Sequence, residues 1–160
     1  LRQMGAEVNL SSGCITVRKG RLRATDIDAR PIPDLIPPLS VLAAAAEGES
    51  HIQNARRLRY KESDRLQGIA ELLNSLGGCL TVDGDGLLIH GVSHLQGGTV
   101  DPMGDHRLAM SAALAALSAD APVTVRDADC VSKSYPAFWA DFQSLKGEAP
   151  CPAPSETPSV

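Results

Sequence analysis

Hydrophobic and polar residues follow two different periods along this chain. Short apolar runs at 8–10 and 14–18 flank a Ser-Ser-Gly turn and predict a β-hairpin. The runs 79–82 and 87–90 flank Asp83-Gly-Asp-Gly and predict a second hairpin. Other apolar runs predict strands at 22–28, 51–55, 98–101 and 123–126.

Helical spacing of apolar residues separates these strands. The segment 39–47 is rich in Ala and Leu, follows a run of prolines and ends at Gly48, which predicts a helix. Apolar periodicity predicts further helices at 62–76, 105–118 and 136–145. The opening residues, Leu1 to Gly5, have the pattern of a last helical turn, so we expect an N-terminally truncated piece of a longer chain.

Part of the sequence repeats with a period of about 71 residues. Leu39-Ser-Val-Leu-Ala-Ala-Ala aligns with Met110-Ser-Ala-Ala-Leu-Ala-Ala, and Lys61 aligns with Lys133. Each copy reads as strand, loop, helix, strand, basic loop and helix, and the first copy ends in a hairpin. Tandem β-α-β-α-β-β units predict an α/β fold in which equivalent loops gather at one end. We assign residues 1–146 to this domain and expect the proline-rich tail 147–160 to be disordered.

Composition excludes several functional classes. The net charge of -4 argues against general binding to nucleic acid or a membrane surface, because both need excess Lys and Arg. The aromatic fraction of 3% leaves few side chains for base stacking and requires a core of Leu, Ile, Val and Ala. Four widely spaced cysteines without a CxxC pattern indicate neither a zinc site nor a disulfide framework, and they favour the cytoplasm.

Charged residues concentrate in three loops that precede predicted helices. Lys61 and Arg65 flank Glu62, a carboxylate suited to acid/base chemistry. Arg107 stands at the start of the next helix and Lys133 before the last one. Each loop alone is explained equally well by helix capping, through Ser63, Asp64 and Asp105, and by surface ion pairs. Together, basic loops at convergent helix N-termini predict a pocket for phosphate or carboxylate groups.

Four short segments resemble signature segments of the EPSP synthase (3-phosphoshikimate 1-carboxyvinyltransferase) family, in the same order. They are Ile32-Pro-Asp34, Lys61-Glu-Ser-Asp-Arg-Leu66, Asp105-His-Arg-Leu-Ala-Met110 and Ser132-Lys-Ser-Tyr-Pro136. The resemblance implies the enolpyruvyl transferase fold, an inside-out α/β barrel of two domains with three β-α-β-α-β-β units each. This chain then corresponds to two units and the end of a third, and it lacks the N-terminal domain. Arg57 departs from the family pattern, which has a polar amide-type residue there.

The resemblance also implies substrates and residue roles. The substrates are phosphoenolpyruvate and shikimate 3-phosphate, and neither a metal nor another cofactor is required. Catalytic roles fall on Asp34, Glu62 and Lys133, and substrate-binding roles on Lys61, Arg65, His106 and Arg107. Asp34 is expected to help deprotonate the attacking hydroxyl, and Glu62 to protonate the methylene carbon of phosphoenolpyruvate.

Two other interpretations remain open from the sequence. One is the sister enzyme that transfers enolpyruvate to UDP-N-acetylglucosamine, which has a similar fold but different motifs. The other is a non-catalytic phosphoester-binding module, either a degenerate domain or a domain of a larger shikimate-pathway polypeptide. The complete set of charged residues favours the transferase over a degenerate domain.

Overall fold

Three small sheets and four α-helices make up residues 1–18 and 20–145, the part of the chain that the computed structural model describes. The strands are β1 Glu7–Ser11, β2 Cys14–Arg18, β3 Ile27–Asp28, β4 Glu49–Gln53, β5 Cys79–Asp83, β6 Gly86–His90, β7 Gly98–Val100 and β8 Val123–Val125. The α-helices are α1 Ile36–Ala44, α2 Arg65–Ser75, α3 His106–Ala116 and α4 Phe138–Ser144. The 3₁₀ turns are Arg2–Met4, Pro33–Leu35, Arg56–Tyr60 and Ala128–Lys133. The predicted disordered tail, 147–160, lies outside the described residues.

The sheets combine parallel and antiparallel pairs. β1 and β2 form the first predicted hairpin, and β7 pairs with β8 in parallel. The largest sheet has the order β3-β4-β6-β5, in which β3 and β4 are parallel and the hairpin β5–β6 adds antiparallel to β4. Both predicted hairpins are confirmed. The predicted strand 22–28 is shorter than expected, because only Ile27–Asp28 forms a ladder and Arg23 makes one isolated bridge.

The internal repeat is confirmed in three dimensions. Each parallel residue pair of the first copy has an equivalent pair in the second copy, in which both residue numbers are 72 higher. The matching pairs are Ile27–Ile52 with Thr99–Thr124, and Arg23–Glu47 with Leu95–Ala119. The same shift relates hairpin β1–β2 to hairpin β5–β6, and it relates Gly5 to Gly77, which both have a left-handed backbone at the end of a helical turn.

Helix α1 begins earlier than predicted. The sequence predicted a start at Leu39 after the prolines, but the helix starts at Ile36 and contains Pro37 and Pro38 in its first turn. Prolines are tolerated there because the first N–H groups of a helix have no intrahelical acceptor. The helix ends at Ala44, before the predicted end at Glu47.

The core lies between helices α1, α2 and α3 and the sheet β3-β4-β6-β5. Leu66, Ile69, Leu73 and Leu108 are fully buried, together with Ile52 and Ile89 from the sheet. Small residues bring α2 and α3 close together, since a Cβ atom added to Gly68 would lie 2.6 Å from Leu108 Cδ1. The buried hydrophobic residues of the described segments include no aromatic residue, as the composition predicted.

Hairpin β1–β2 has an apolar face that the described residues leave uncovered. Val8 and Leu10 on one strand lie opposite Val17 and Ile15 on the other, and Leu10 and Ile15 are 65% and 70% exposed. Their equivalents by the 72-residue shift are buried or partly buried residues on strands that contact α1 and α2. They are Leu80, Val82, Leu87 and Ile89.

No helix in the described part of the chain is long and apolar enough to cross a membrane.

Candidate active site

A buried ion pair joins the first turns of helices α2 and α3. Arg65 Nε donates to Asp105 Oδ2 at 2.7 Å, and Arg65 Nη2 donates to Asp105 Oδ1 at 3.2 Å. The Arg65 side chain is 1% exposed and that of Asp105 is 0% exposed. The paired contact uses both carboxylate oxygens and one edge of the guanidinium, which is the strongest geometry for such a pair.

The outer edge of the same guanidinium, formed by Nη1 and Nη2, contacts two further carboxylates. Arg65 Nη1 donates to Asp34 Oδ1 at 2.9 Å, and Arg65 Nη2 donates to Glu62 Oε2 at 2.5 Å. Asp34 and Glu62 are the two residues for which the family resemblance implied roles in proton transfer. Arg65 therefore lies between both of them and the buried Asp105.

Two more cations contact Asp34. Lys61 Nζ lies 3.2 Å from Asp34 Oδ1, and Arg107 Nη2 lies 3.7 Å from Asp34 Oδ2. Arg107 Nη1 also donates to the Asp34 backbone carbonyl at 3.1 Å. The Asp34 side chain is 47% exposed, so this end of the network opens to solvent. We call the six residues of this network the ionic cluster: Asp34, Lys61, Glu62, Arg65, Asp105 and Arg107.

Charge compensation holds Asp105 and Asp34 in their ionised forms. Burial raises the pKa of Asp105, but hydrogen bonds from Arg65 and the Arg107 backbone N–H outweigh burial, so this pKa lies below its ordinary value. Burial likewise raises the pKa of Asp34, and the hydrogen bond from Lys61 and the charge of Arg107 lower it further than burial raises it. Burial lowers the pKa of Arg65, whereas the bonds and charge of Asp105 raise it above its ordinary value.

Helix capping explains how local sequence builds the ionic cluster. The Asp64 carboxylate accepts from the Gln67 backbone N–H at 3.2 Å, so α2 starts at Arg65 rather than at the predicted residue 62. Asp105 caps α3 in the same way, accepting from the Arg107 N–H at 2.9 Å. Each cap places an arginine in the first turn of its helix.

Sequence reasoning missed one function of Asp105 and one of Ser63. Both were interpreted as helix caps, but Asp105 also binds Arg65, and the Ser63 hydroxyl donates to Asp105 Oδ2 at 3.1 Å instead of capping α2. The pairing joins positions 40 residues apart, which no local pattern shows. The available signal was complementary charge, an Arg and an Asp at the starts of two adjacent helices.

Two predicted site residues stand apart from the ionic cluster. His106 is 5% exposed, and its Nδ1 atom has no hydrogen-bond partner among the described residues. Lys133 is exposed at the end of the turn Ala128–Lys133, which packs against α3. The structure brings Asp34, Lys61, Glu62, Arg65 and Arg107 into contact and does not bring His106 or Lys133 into hydrogen bonds with them.

The segment 56–65 carries five basic residues, and carboxylates neutralise the charge of three of them: Arg59, Lys61 and Arg65. Arg65 is buried among carboxylates, and Arg59 lies 3.1 Å from Asp64 and donates to the Gly84 carbonyl at 2.7 Å. The segment is therefore part of a mixed-charge network, and Arg56 and Arg57 remain exposed beside it.

Comparison with known proteins identifies the family. The family profile described as EPSP synthase (3-phosphoshikimate 1-carboxyvinyltransferase) matches residues 1–142. The chain belongs to the EPSP synthase family.

Individual enolpyruvyl transferases resemble the chain over most of its length. A 3-phosphoshikimate 1-carboxyvinyltransferase of Clostridium kluyveri is 43% identical over 148 residues, which cover 92% of this chain and 35% of the relative. An EPSP synthase structure from Acinetobacter baumannii matches at 31% identity and a TM-score of 0.76, covering 92% of this chain and 37% of that one. An enolpyruvyl transferase of Streptomyces tendae matches at 26% identity and a TM-score of 0.74, covering 90% of this chain and 33% of that one.

These matches confirm the predicted α/β fold of the enolpyruvyl transferases. The chain spans about a third of the length of the curated EPSP synthases that it matches.

Proposed function

We propose that this chain forms part of a 3-phosphoshikimate 1-carboxyvinyltransferase. That enzyme transfers the enolpyruvyl group of phosphoenolpyruvate to the 5-hydroxyl of shikimate 3-phosphate and releases phosphate, in the pathway to aromatic amino acids. Membership of the EPSP synthase family supports the proposal. The observation that carries it is the ionic cluster, in which three carboxylates and three cations meet at the starts of helices.

The chemistry of the reaction suits the two partly exposed carboxylates. A bond forms between the 5-oxygen of shikimate 3-phosphate and C2 of phosphoenolpyruvate, while the hydroxyl loses a proton and the methylene carbon gains one. We assign the first proton transfer to Asp34 and the second to Glu62. Collapse of the intermediate then returns a proton to Glu62 and expels phosphate. Arg65 contacts both carboxylates, which supports a shared reaction site.

The cations serve the anionic groups of the substrates. We assign Lys61 to shikimate 3-phosphate and Arg65, Arg107 and Lys133 to the carboxylate and phosphate of phosphoenolpyruvate. Fixed positive charge stabilises a departing phosphate, and the N-termini of α2 and α3 add their dipoles. We assign a substrate-binding role to His106 as well, which is the first residue of α3.

We also propose that the parent protein supplies a further β-α-β-α-β-β unit against the apolar faces of this chain. The exposed face of hairpin β1–β2 is equivalent to a hairpin face that packs towards two helices, and an apolar groove of about 510 Å³ runs between α1 and α3. Leu39, Leu42, Leu114 and Leu117 line that groove. Helices of a preceding unit are the expected occupants, because the 72-residue repeat supplies such helices to the equivalent hairpin. We propose that the parent protein also contains a second domain. We further propose that the parent protein is located in the cytoplasm.

A chimera tests the proposed function. The chain replaces the 148 matching residues of the Clostridium kluyveri relative, and phosphate release is measured with both substrates. We expect turnover by the chimera and none by the chain alone, with calorimetry showing tight binding of both substrates only in the chimera. A folded chimera without turnover would favour a non-catalytic phosphoester-binding module. Turnover with UDP-N-acetylglucosamine in place of shikimate 3-phosphate would favour the sister enzyme.

A further inference from the structure

Asp105 is the one member of the ionic cluster that has no access to solvent. Its side chain is 0% exposed, whereas Asp34 is half exposed and Glu62 partly exposed. Its oxygens accept from Arg65, from the Arg107 backbone N–H and from the Ser63 hydroxyl. Both oxygens of Asp105 are occupied by donors of the chain itself, so any effect of Asp105 on the reaction passes through its neighbours.

The neighbour with most of these contacts is Arg65. A guanidinium is a rigid plane with five N–H donors, so two bonds along one edge fix the direction of the other edge. Asp105 binds the edge formed by Nε and Nη2. The outer edge then points to Asp34 and Glu62.

We propose that Asp105 is a positioning residue. Its bonds fix the orientation of the outer edge of Arg65, and that edge holds Asp34 and Glu62 at the separation that proton transfer requires. This inference rests on the proposed function, because it assigns a purpose to Asp105 within that reaction. It differs from a purely structural cap, which would stabilise α3 without affecting the distance between Asp34 and Glu62.

Asp64 provides a matched cap for comparison. It caps α2 through the Gln67 N–H, as Asp105 caps α3 through the Arg107 N–H. Asp64 makes its side-chain contact with Arg59 and none with Arg65 in the described structure. A capping effect is therefore common to both residues, whereas the positioning effect belongs to Asp105 alone.

The test compares Asp105→Asn with Asp64→Asn in the chimera. Asn at 105 keeps an oxygen for the Arg107 N–H but turns an NH₂ donor towards the donors of Arg65. We expect kcat to fall by about 100-fold, the loss that a small misplacement of reacting groups produces. The KM for shikimate 3-phosphate, whose binding is assigned to Lys61, should change much less. Asp64→Asn keeps kcat close to the unsubstituted value. Equal losses in the two variants would assign Asp105 to capping and overturn the proposal.

A double-mutant cycle with Arg65→Lys tests whether the loss of kcat in Asp105→Asn depends on Arg65. If Asp105 acts through Arg65, Asp105→Asn lowers kcat only slightly once Arg65 is Lys, so the two losses are not additive. Additive losses would overturn the proposal. If Asp105→Asn does not fold, as judged by circular dichroism, Asp105→Ser keeps a capping oxygen and is too short to reach Arg65.

The two proposals fail in different ways. An unsubstituted chimera that folds without turnover overturns the proposed function, and the role of Asp105 with it. Turnover together with an additive cycle overturns only the role of Asp105.

Discussion

Arg65 and Asp105 lie 40 residues apart in sequence and form a bidentate, buried pair at 2.7 and 3.2 Å. The pair connects the first turns of two helices that belong to successive repeats, so it fixes how the repeats meet. It also separates the cluster into an enclosed end at Asp105 and a solvent-facing end at Asp34.

Removal of the Asp105 carboxylate should destabilise the chain. Asp105→Ala leaves the Arg65 cation buried with one partner fewer, so we expect a loss of about 3 kcal/mol in the free energy of unfolding. Asp64→Ala removes a cap in an exposed position, and its expected cost is about 1 kcal/mol. Urea denaturation of both variants measures the difference. Equal losses would show that the buried pair adds nothing to the cap.

Acid should weaken the fold through the same carboxylate. The pKa of Asp105 in the folded chain is below its ordinary value of about 3.9, so its contribution is complete above that value and disappears as the pH falls through the folded pKa. Asp34 acts in the same direction, but its exposure reduces its share. We expect the free energy of unfolding to fall steeply below about pH 4 and less steeply in Asp105→Asn. Parallel pH profiles for the two proteins would contradict this assignment.

Close packing of α2 on α3 gives a prediction for Gly68. A methyl group there meets Leu108 Cδ1 and Met103 Cε at 2.6 and 2.8 Å, so Gly68→Ala must push the helices apart or force a rotamer change. The expected cost is about 1–3 kcal/mol, despite the better helix propensity of Ala. Gln67→Ala, one residue away and exposed, is the control. A stabilised Gly68→Ala variant would show that the interface between α2 and α3 has spare room.

The exposed hairpin face predicts how the isolated chain behaves in solution. Leu10→Lys with Ile15→Lys should reduce self-association of the chain, measured by sedimentation, and leave its free energy of unfolding within about 0.5 kcal/mol. In the chimera the same pair should destabilise the fold, because a preceding unit covers this face.

Asn9→Lys with Thr16→Lys is the matched control, since these two residues pair on the other face of the same hairpin. It should change neither self-association of the chain nor stability of the chimera. A chimera that tolerates both double substitutions equally would argue against the proposed contact.

Local sequence patterns account for both hairpins and most strands of this chain but for only part of its helix boundaries and little of the strand predicted at 22–28. Asp83-Gly-Asp-Gly predicted the hairpin β5–β6 correctly, because its turn residues and flanking alternation are local. The start of α1 was predicted wrongly, since Pro37 and Pro38 were taken to precede a helix that in fact begins at Ile36. Proline at a helix start and proline before a helix look alike in sequence.

The candidate site also has a part that local sequence predicts and a part that it does not. Lys61, Glu62 and Arg65 are close in sequence, so local spacing was enough to place them in one loop, and the anion site assigned to that loop stays a prediction. The bond from Arg65 to Asp105 depends on the contact between two helices, and that contact depends on Gly68 and Leu108 far apart in the chain. The repeat gave the one long-range clue, because it placed equivalent loops at one end of the fold. It did not specify which charges would face each other there.

Glu62→Gln in the chimera should separate proton transfer from binding. The amide keeps the size of the side chain and an oxygen for the 2.5 Å contact with Arg65 Nη2, so the ionic cluster should assemble as before. It no longer gives or takes a proton at the methylene carbon, and general acid/base groups contribute about 10²- to 10⁴-fold. We expect kcat to fall within that range, with calorimetric affinities for both substrates nearly unchanged. Gln67→Ala, exposed on the same helix, serves as the control and should retain full turnover. A parallel loss of affinity and rate in Glu62→Gln would instead make Glu62 a structural partner of Arg65, and proton transfer to the methylene carbon would then require another residue.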